Sequence, residues 1–199
     1  MQLLSSFFAV KPRESRPPMG TRLVGKRVML REAEVGDWRQ WSALRGLSRD
    51  FLKPWEPEWP ANSLTAGFFD GMLRRQWKDW RRGKAYGFLI CDKQDNKLVG
   101  GITLNDVRRG IAQKGTLGYW TGMPYARQGY MTEAAALMCE FAFDALKLNR
   151  VEASCLPHNE PSKRLLQRLG FTEEGYAKSY LRIDGEWQDH MLWGKTAGN

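Results

Sequence analysis

The sequence is poor in the side chains that carry most metal, disulfide and nucleophile chemistry: two histidines and three cysteines in 199 residues. Cys91, Cys139 and Cys155 are far apart, odd in number and free of any C-x-x-C pair, so neither a zinc site nor a disulfide framework is expected, and a reducing cytoplasm is the simplest home. His158 and His190 form no arrangement with a serine or cysteine that sequence can assemble into a nucleophilic triad, and both are read as structural or surface groups. There is no G-x-x-x-x-G-K-[ST] and no G-x-G-x-x-G after a strand, which leaves a P-loop or dinucleotide fold unsupported. No run approaches transmembrane length, and the apolar opening MQLLSSFFAVKP lacks a basic n-region and a small-residue cleavage site. Neither a membrane nor DNA is expected as a partner, and no internal repeat is visible.

What the chain does have is positive charge. Its 31 Lys and Arg against 22 Asp and Glu give +9, which favours polyanionic partners such as nucleotide cofactors, RNA or a ribosome surface, although the same excess also serves solubility. With 42% hydrophobic residues the length suits one core. Residues 1–22, containing KPRESRPPMG, read as an N-terminal extension, and residues 23–199 as a single domain.

Hydrophobic spacing then orders the elements. A strand is expected in KRVMLREA, residues 26–33, and helices over 36–52 (Trp38, Trp41, Leu44, Leu52) and 64–83 (Phe69, Leu73, Trp77, Trp80). Between the helices FLKPWEPEWP carries three prolines and must be a loop. Three alternating runs, 85–92, 97–107 and 113–122, predict an antiparallel meander. A helix follows in which Ala134, Leu137, Met138, Phe141, Ala145 and Leu148 share a face, then a strand at 150–156, an order that implies a parallel crossover. Asn159 and Gly170 bracket a short helix, and the tail predicts a hairpin turning at Asp184-Gly185.

The stretch PYARQGYMTEAA places Gly129 where the long helix begins. A helix start leaves its first N–H groups without intrahelical partners, and a residue without Cβ lets an anion approach them. One glycine before a helix is more often an ordinary loop than a phosphate cradle, so the rest of the chain has to decide.

Residues 118–171, GYWTGMPYARQGYMTEAAALMCEFAFDALKLNRVEASCLPHNEPSKRLLQRLGF, resemble the acetyl-CoA-binding half of the GNAT superfamily of N-acetyltransferases. The tail AKSYLRIDGEWQDHMLWGKT is similar to the ribosomal-protein N-terminal alanine acetyltransferase branch, RimJ/RimL-like. The resemblance implies an α/β (α+β) GNAT acyl-CoA N-acyltransferase fold: a mixed seven-stranded sheet with a central antiparallel meander, a splayed parallel strand pair and about four helices. It implies acetyl-CoA as acetyl donor and direct attack by a primary amine. The family loop Q/R-x-x-G-x-G/A falls on Ala126, Arg127, Gln128, Gly129, Tyr130 and Met131, so the first and last positions depart from it and the central glycine is kept. By the same resemblance Arg127, Gln128, Gly129, Tyr130, Met131 and Thr132 wrap the pyrophosphate. Backbone groups of Tyr119, Trp120 and Thr121 bind the pantetheine arm, and an N–H there stabilises the oxyanion. The tyrosine that many relatives place on the next helix is Leu166 here, and the N-x-x-S pattern offers Ser162 as proton donor to the leaving thiolate, with Asn159 a further cofactor contact. Composition alone would read Asn159 and Ser162 as helix caps.

Trp55, Glu56 and Trp59, in the proline-stiffened loop, are the expected acceptor contacts: acid between aromatic walls suits a peptide amino terminus. Glu32, Glu56, Glu58 and Asp106 are candidates for a general base, each also readable as a solvated charge, and none is singled out. An acetyl-cysteine on Cys155 is less favoured than direct transfer, because no cation or base flanks it. The expected acceptor is an Ala or Ser amino terminus of a ribosomal protein, with ribosome association through the basic surface and a monomeric or homodimeric enzyme. The alternatives are a GNAT enzyme for an aminoglycoside, polyamine or amino acid, or a non-catalytic ribosome- or RNA-binding relative.

Overall fold

The computed structural model describes residues 17–198, so most of the 1–22 extension lies outside the described residues. One mixed sheet of eight strands runs in the order β1-β2-β3-β4-β5-β6-β8-β7. The strands are β1 (Arg22–Val24), β2 (Val28–Arg31), β3 (Tyr86–Asp92), β4 (Leu98–Arg108), β5 (Lys114–Thr121), β6 (Arg150–Cys155), β7 (Thr172–Ile183) and β8 (Glu186–Thr196). The eighth, beyond the seven expected, is β1: the stretch read as one strand over 26–33 is the second half of a hairpin whose first half has only three residues, too few to show a period. All neighbours are antiparallel except β5 and β6.

The helices are α1 (Trp38–Leu47), α2 (Arg49–Leu52), α3 (Ala66–Arg82), α4 (Tyr130–Glu140) and α5 (Glu160–Arg168). The helix expected over 36–52 is broken at Ser48, whose buried hydroxyl accepts the Met123 N–H at 2.8 Å and ties the break to the segment that follows β5. Helix α3 is capped at both ends by its own sequence: Thr65 Oγ1 accepts the Phe68 N–H, and Gly83 closes it with φ +65°. Helix α4 stops sooner than its apolar spacing predicts. At Phe141–Ala145 it widens into a π-turn, with the Leu146 N–H reaching the Phe141 carbonyl, and the Phe141 ring meets Trp80, Tyr86 and Phe88 edge-on or tilted. Leu148 is buried beyond the helix rather than within it.

The sheet separates two apolar layers. One joins α4 and α5 to the sheet through residues such as Ile102, Leu104, Met138 and Leu166; the other packs α1 and α3 on the opposite face through Trp41, Phe69, Leu73 and Leu89. Trp41 and Trp80 are buried and Trp38 and Trp77 half-buried, so these four tryptophans pack helices on the sheet. Beneath α1 lies a buried ion pair. Arg31 donates two 2.7 Å bonds to Asp37, whose carboxylate also accepts the Glu34 N–H and the Gln40 amide.

Burial alone would push the Asp37 carboxyl up, but the Arg31 guanidinium and the Glu34 amide together hold it below its ordinary value. A depressed carboxylate stabilises the fold above its unfolded pKa and loses that contribution as pH falls through the folded value. Asp37→Asn leaves Arg31 buried without a counter-charge, and a loss of about 3–5 kcal/mol is expected at pH 7. Chemical denaturation from pH 7 to pH 3 should show the gap between wild type and variant narrowing on the acid side.

Candidate functional site

Strands β5 and β6 are in register for three pairs, Lys114↔Arg150, Gly115↔Val151 and Thr116↔Glu152, and then part. Beyond that point β5 keeps only β4, as far as Gly100↔Thr121, and β6 keeps only β8, as far as Cys155↔Met191. Two strand edges therefore face each other across an open wedge, each with backbone polar groups that need partners. Tyr119, Trp120 and Thr121 lie on the β5 edge of this wedge, and Ser162 and Asn159 stand at the start of α5 beside it.

The loop into α4 leaves its helix start uncapped. Gly129 is the N-cap at φ +86°, with no side chain accepting from the first turn. A Cβ built there would have within 4 Å only Arg27 Nη1, at 3.9 Å, so the space in front of the helix is open and the backbone conformation is what calls for glycine. Arg27 fastens the loop from outside: its guanidinium lies 4.4 Å from the Tyr130 ring centroid and donates to the Gln128 carbonyl at 3.0 Å. Tyr130 in turn donates to Asp92 at 2.7 Å. Arg127 and Gln128 are exposed and Thr132 is half-buried on the first turn of α4. Met131, the departure from the family loop, packs its side chain on the core, which leaves its backbone for the open side. Arg27 and Asp92 carry no motif in the sequence; only the strand pairing brings them here.

Trp120 turns its indole to the other face of the sheet, against Gly101 and 4.8 Å from Arg45, so what it presents to the wedge is backbone. Gly122 packs against Leu44 so tightly that any Cβ would collide with it. Tyr119 points the opposite way, and its hydroxyl lies 2.7 Å from Ser162 Oγ. The Ser162 backbone N–H is held by Asn159 Oδ1 at 3.1 Å, so the capping role read from composition is present as well. Burial pushes the Cys155 thiol up, against the Ser162 hydroxyl and Trp193 indole beside it, which keeps it a neutral thiol near pH 7. Leu166 is fully buried in the core.

Above the wedge lies the proline-rich loop. Arg45 and Glu56 form a bidentate pair at 2.7 Å, Trp59 Nε1 donates to Glu56 at 2.8 Å, and the Arg45 guanidinium sits between the Trp59 and Trp120 rings, 4.1 and 4.8 Å from their centroids. Glu56 is thus already committed to an arginine. Trp55 is 5.4 Å from the His158 ring, just ahead of α5. The loop is also latched to the β7–β8 turn: the Asp184 N–H donates to the Glu56 carbonyl at 2.9 Å, and Lys53 approaches Asp184 at 3.6 Å. Of the carboxylates weighed as bases, Glu32 accepts the Gly20 N–H, and Asp106 pairs with Arg108 at the end where β5 and β6 are still joined. Glu58 is exposed, borders Gly185, and has no ion pair among the described residues. His190 is buried, and its Nδ1–H donates to the Gln188 carbonyl of its own strand at 3.0 Å.

An uncapped helix start open to an anion, a wedge of unpaired strand edges and a roof of aromatic residues lie on one side of the fold. Residues 27–172 match the sequence profile described as Acetyltransferase (GNAT) domain. The chain belongs to the GNAT acetyltransferase family. It is 33% identical over 175 residues, 88% of its length and 90% of the relative's, to the [ribosomal protein uS5]-alanine N-acetyltransferase of Escherichia coli (strain K12). Among solved structures, Mycobacterium smegmatis RimJ in complex with CoA-disulfide superposes with a TM-score of 0.81 at 32% identity, covering 85% of this chain and 82% of that one. The ribosomal-protein-S5-alanine acetyltransferase of Vibrio fischeri superposes with a TM-score of 0.83 at 28% identity, covering 90% and 98%. This GNAT chain is therefore an acetyl-CoA-dependent N-acetyltransferase with acetyl-CoA as its acetyl donor. Among the described residues no helix is long and apolar enough to cross a membrane, and no cluster of His, Cys, Asp or Glu could hold a metal ion.

Glu56→Gln removes the counter-charge of an arginine enclosed by two tryptophan rings and is expected to destabilise by about 3 kcal/mol. Thermal melts followed by tryptophan fluorescence should show both the lower midpoint and a changed emission from Trp59 and Trp120.

Proposed function

We propose that this enzyme acetylates the N-terminal α-amine, Ala or Ser, of a ribosomal protein. The observation that carries the reading is the match, over nearly the full length of both chains, to an enzyme named for acetylating an alanine of ribosomal protein uS5. The site supports it chemically. An α-amino group titrates near 8, about two units below a lysine side chain, so it reaches the neutral, attacking form at physiological pH with little help. The roof fits that modest demand, since Glu56 is tied to Arg45 and exposed Glu58 is left to draw off a proton through solvent.

In this reading the backbone N–H groups of residues 127–132, with Arg127 and the α4 dipole, hold the pyrophosphate, and the open β5 edge at Tyr119, Trp120 and Thr121 pairs with the amides of the pantetheine arm. A β5 N–H supports the oxyanion as the amine attacks the thioester carbonyl. Ser162, braced by Asn159, donates a hydrogen bond to the departing sulfur, and Trp55, Glu56 and Trp59 cover the acceptor. Exposed Arg82 and Lys84, ahead of β3, and Lys147, ahead of β6, lie at the end of the sheet where β5 and β6 are still paired, and would serve a contact with ribosomal RNA without blocking the site. An enzyme with a ribosomal protein as acceptor would act in the cytoplasm.

The test is mass spectrometry of ribosomal proteins, Ala- and Ser-initiated peptides and a panel of small amines after incubation with enzyme and acetyl-CoA. Acetylation of amino termini is expected; modification restricted to lysine side chains, aminoglycosides or polyamines would overturn the acceptor assignment. Gly129→Ala forces a Cβ into a left-handed conformation at a cost of roughly 1–2 kcal/mol and should raise the KM for acetyl-CoA by about tenfold with little change in kcat. Cys155→Ala should keep near wild-type turnover, because a thiol held neutral is no nucleophile; loss of activity accompanied by a trapped acetyl-cysteine in the wild type would contradict direct transfer.

A further inference from the structure

The wedge is not empty on the α5 side. Extending the β5–β6 register past Thr116↔Glu152 would set Tyr119 opposite Cys155, but at that height the strands have parted and the side chain of Ser162 enters between them. Tyr119 Oη lies 2.7 Å from Ser162 Oγ. Phenol and hydroxyl thus meet across the gap, where Ser162 is buried and Tyr119 half-buried.

A serine has one hydrogen to give. If it is spent on Tyr119, none remains for a sulfur; if Tyr119 donates instead, the Ser162 hydrogen is free for another acceptor. A phenol is the better donor and the poorer acceptor of the two, which sets the second arrangement. Burial pushes the Tyr119 phenol up to about 12, so it keeps its proton throughout the working range.

We infer that Tyr119 is a positioning residue for acetyl transfer: by donating to Ser162 Oγ it turns the Ser162 hydrogen towards the sulfur of the leaving coenzyme A. This deepens the proposed function and rests on its placing of Ser162 at the leaving group. The step balances without any oxidant or further reactant. The amine nitrogen bonds to the acetyl carbon, the C–S bond breaks with its electron pair on sulfur, the Ser162 O–H hydrogen-bonds to that thiolate, and the proton shed by the nitrogen ends on sulfur through solvent. Tyr119 remains protonated from start to finish.

The inference is testable without knowing the acceptor. Coenzyme A is bound to the full-length enzyme and its thiol titrated by thiolate absorbance, with binding of each variant checked by thermal shift. In the wild type the bound thiol is expected to titrate about one unit below the free thiol, a tenfold effect. Tyr119→Phe and Ser162→Ala should each abolish most of that shift, and the double variant should lose no more than Ser162→Ala alone. In turnover Tyr119→Phe should lower kcat about tenfold while leaving the KM for acetyl-CoA within twofold. A residue that only packs the wedge would change binding and melting temperature but give independent, additive effects in the double variant. Additive losses would overturn the role of Tyr119 alone; an unshifted thiol in a wild type that binds coenzyme A would overturn the Ser162 hydrogen bond to sulfur and the role of Tyr119 with it; failure of the wild type to bind coenzyme A would overturn the placing of the cofactor, and this inference with it.

Discussion

Strands β5 and β6 stay paired for three residues and then separate, each held on its far side by an antiparallel neighbour. Nearly everything else in the site follows from that separation. A parallel pair that continued would satisfy its own backbone and leave no place for a ligand; a pair that parts leaves two edges whose N–H and C=O groups look for partners. The pantetheine arm, which carries amides of its own, is chemically suited to that edge. The same opening lets the first turn of α5 bring Ser162 in between, where it meets Tyr119.

Around the wedge the chain spends its polar interactions on holding backbone in place. Arg27, from the β1–β2 turn, and Asp92, at the end of β3, grip the loop that precedes α4 through Tyr130 and Gln128, so that an uncapped helix start keeps its shape with no side chain over it. Ser48 does the same for the segment after β5 by breaking a helix and accepting the Met123 N–H. On the roof, Arg45 and Glu56 satisfy each other between tryptophan rings, and the β7–β8 turn latches the loop from the far side. These are fixed supports around a pre-shaped opening, the arrangement that lets binding energy go into orienting the thioester and amine rather than into ordering the protein.

Much of the fold was legible because it rests on short-range pattern. The meander, the capped helix α3, the crossover through α4 and the hairpin at Asp184-Gly185 all carry periodicity or turn chemistry within a dozen residues, and each is present. The misreadings have physical causes of the same kind. Three-residue β1 is too short for a period, the long apolar run after Gly129 hides a π-turn at the point where Phe141 seats among aromatic rings, and Ser48 breaks a helix for a partner 75 residues away. For the site, Gly129 and the N-x-x-S pattern are visible because glycine geometry and helix caps are local; the fastening of Glu56 by Arg45 and of the α4 loop by Arg27 is not.

By itself, then, the sequence determined the order of elements, the helix start at Gly129, the family and with it the acetyl donor, since each of these depends on residues close together in the chain. Tertiary structure alone decided which side chains share the wedge. Tyr119 and Ser162 are 43 positions apart, as Arg27 and Gln128 are 101 apart, and a hydrogen bond of 2.7 or 3.0 Å between such residues depends on where strands stop pairing. Strand pairing is a contest between whole elements for backbone partners, and no local pattern records its outcome.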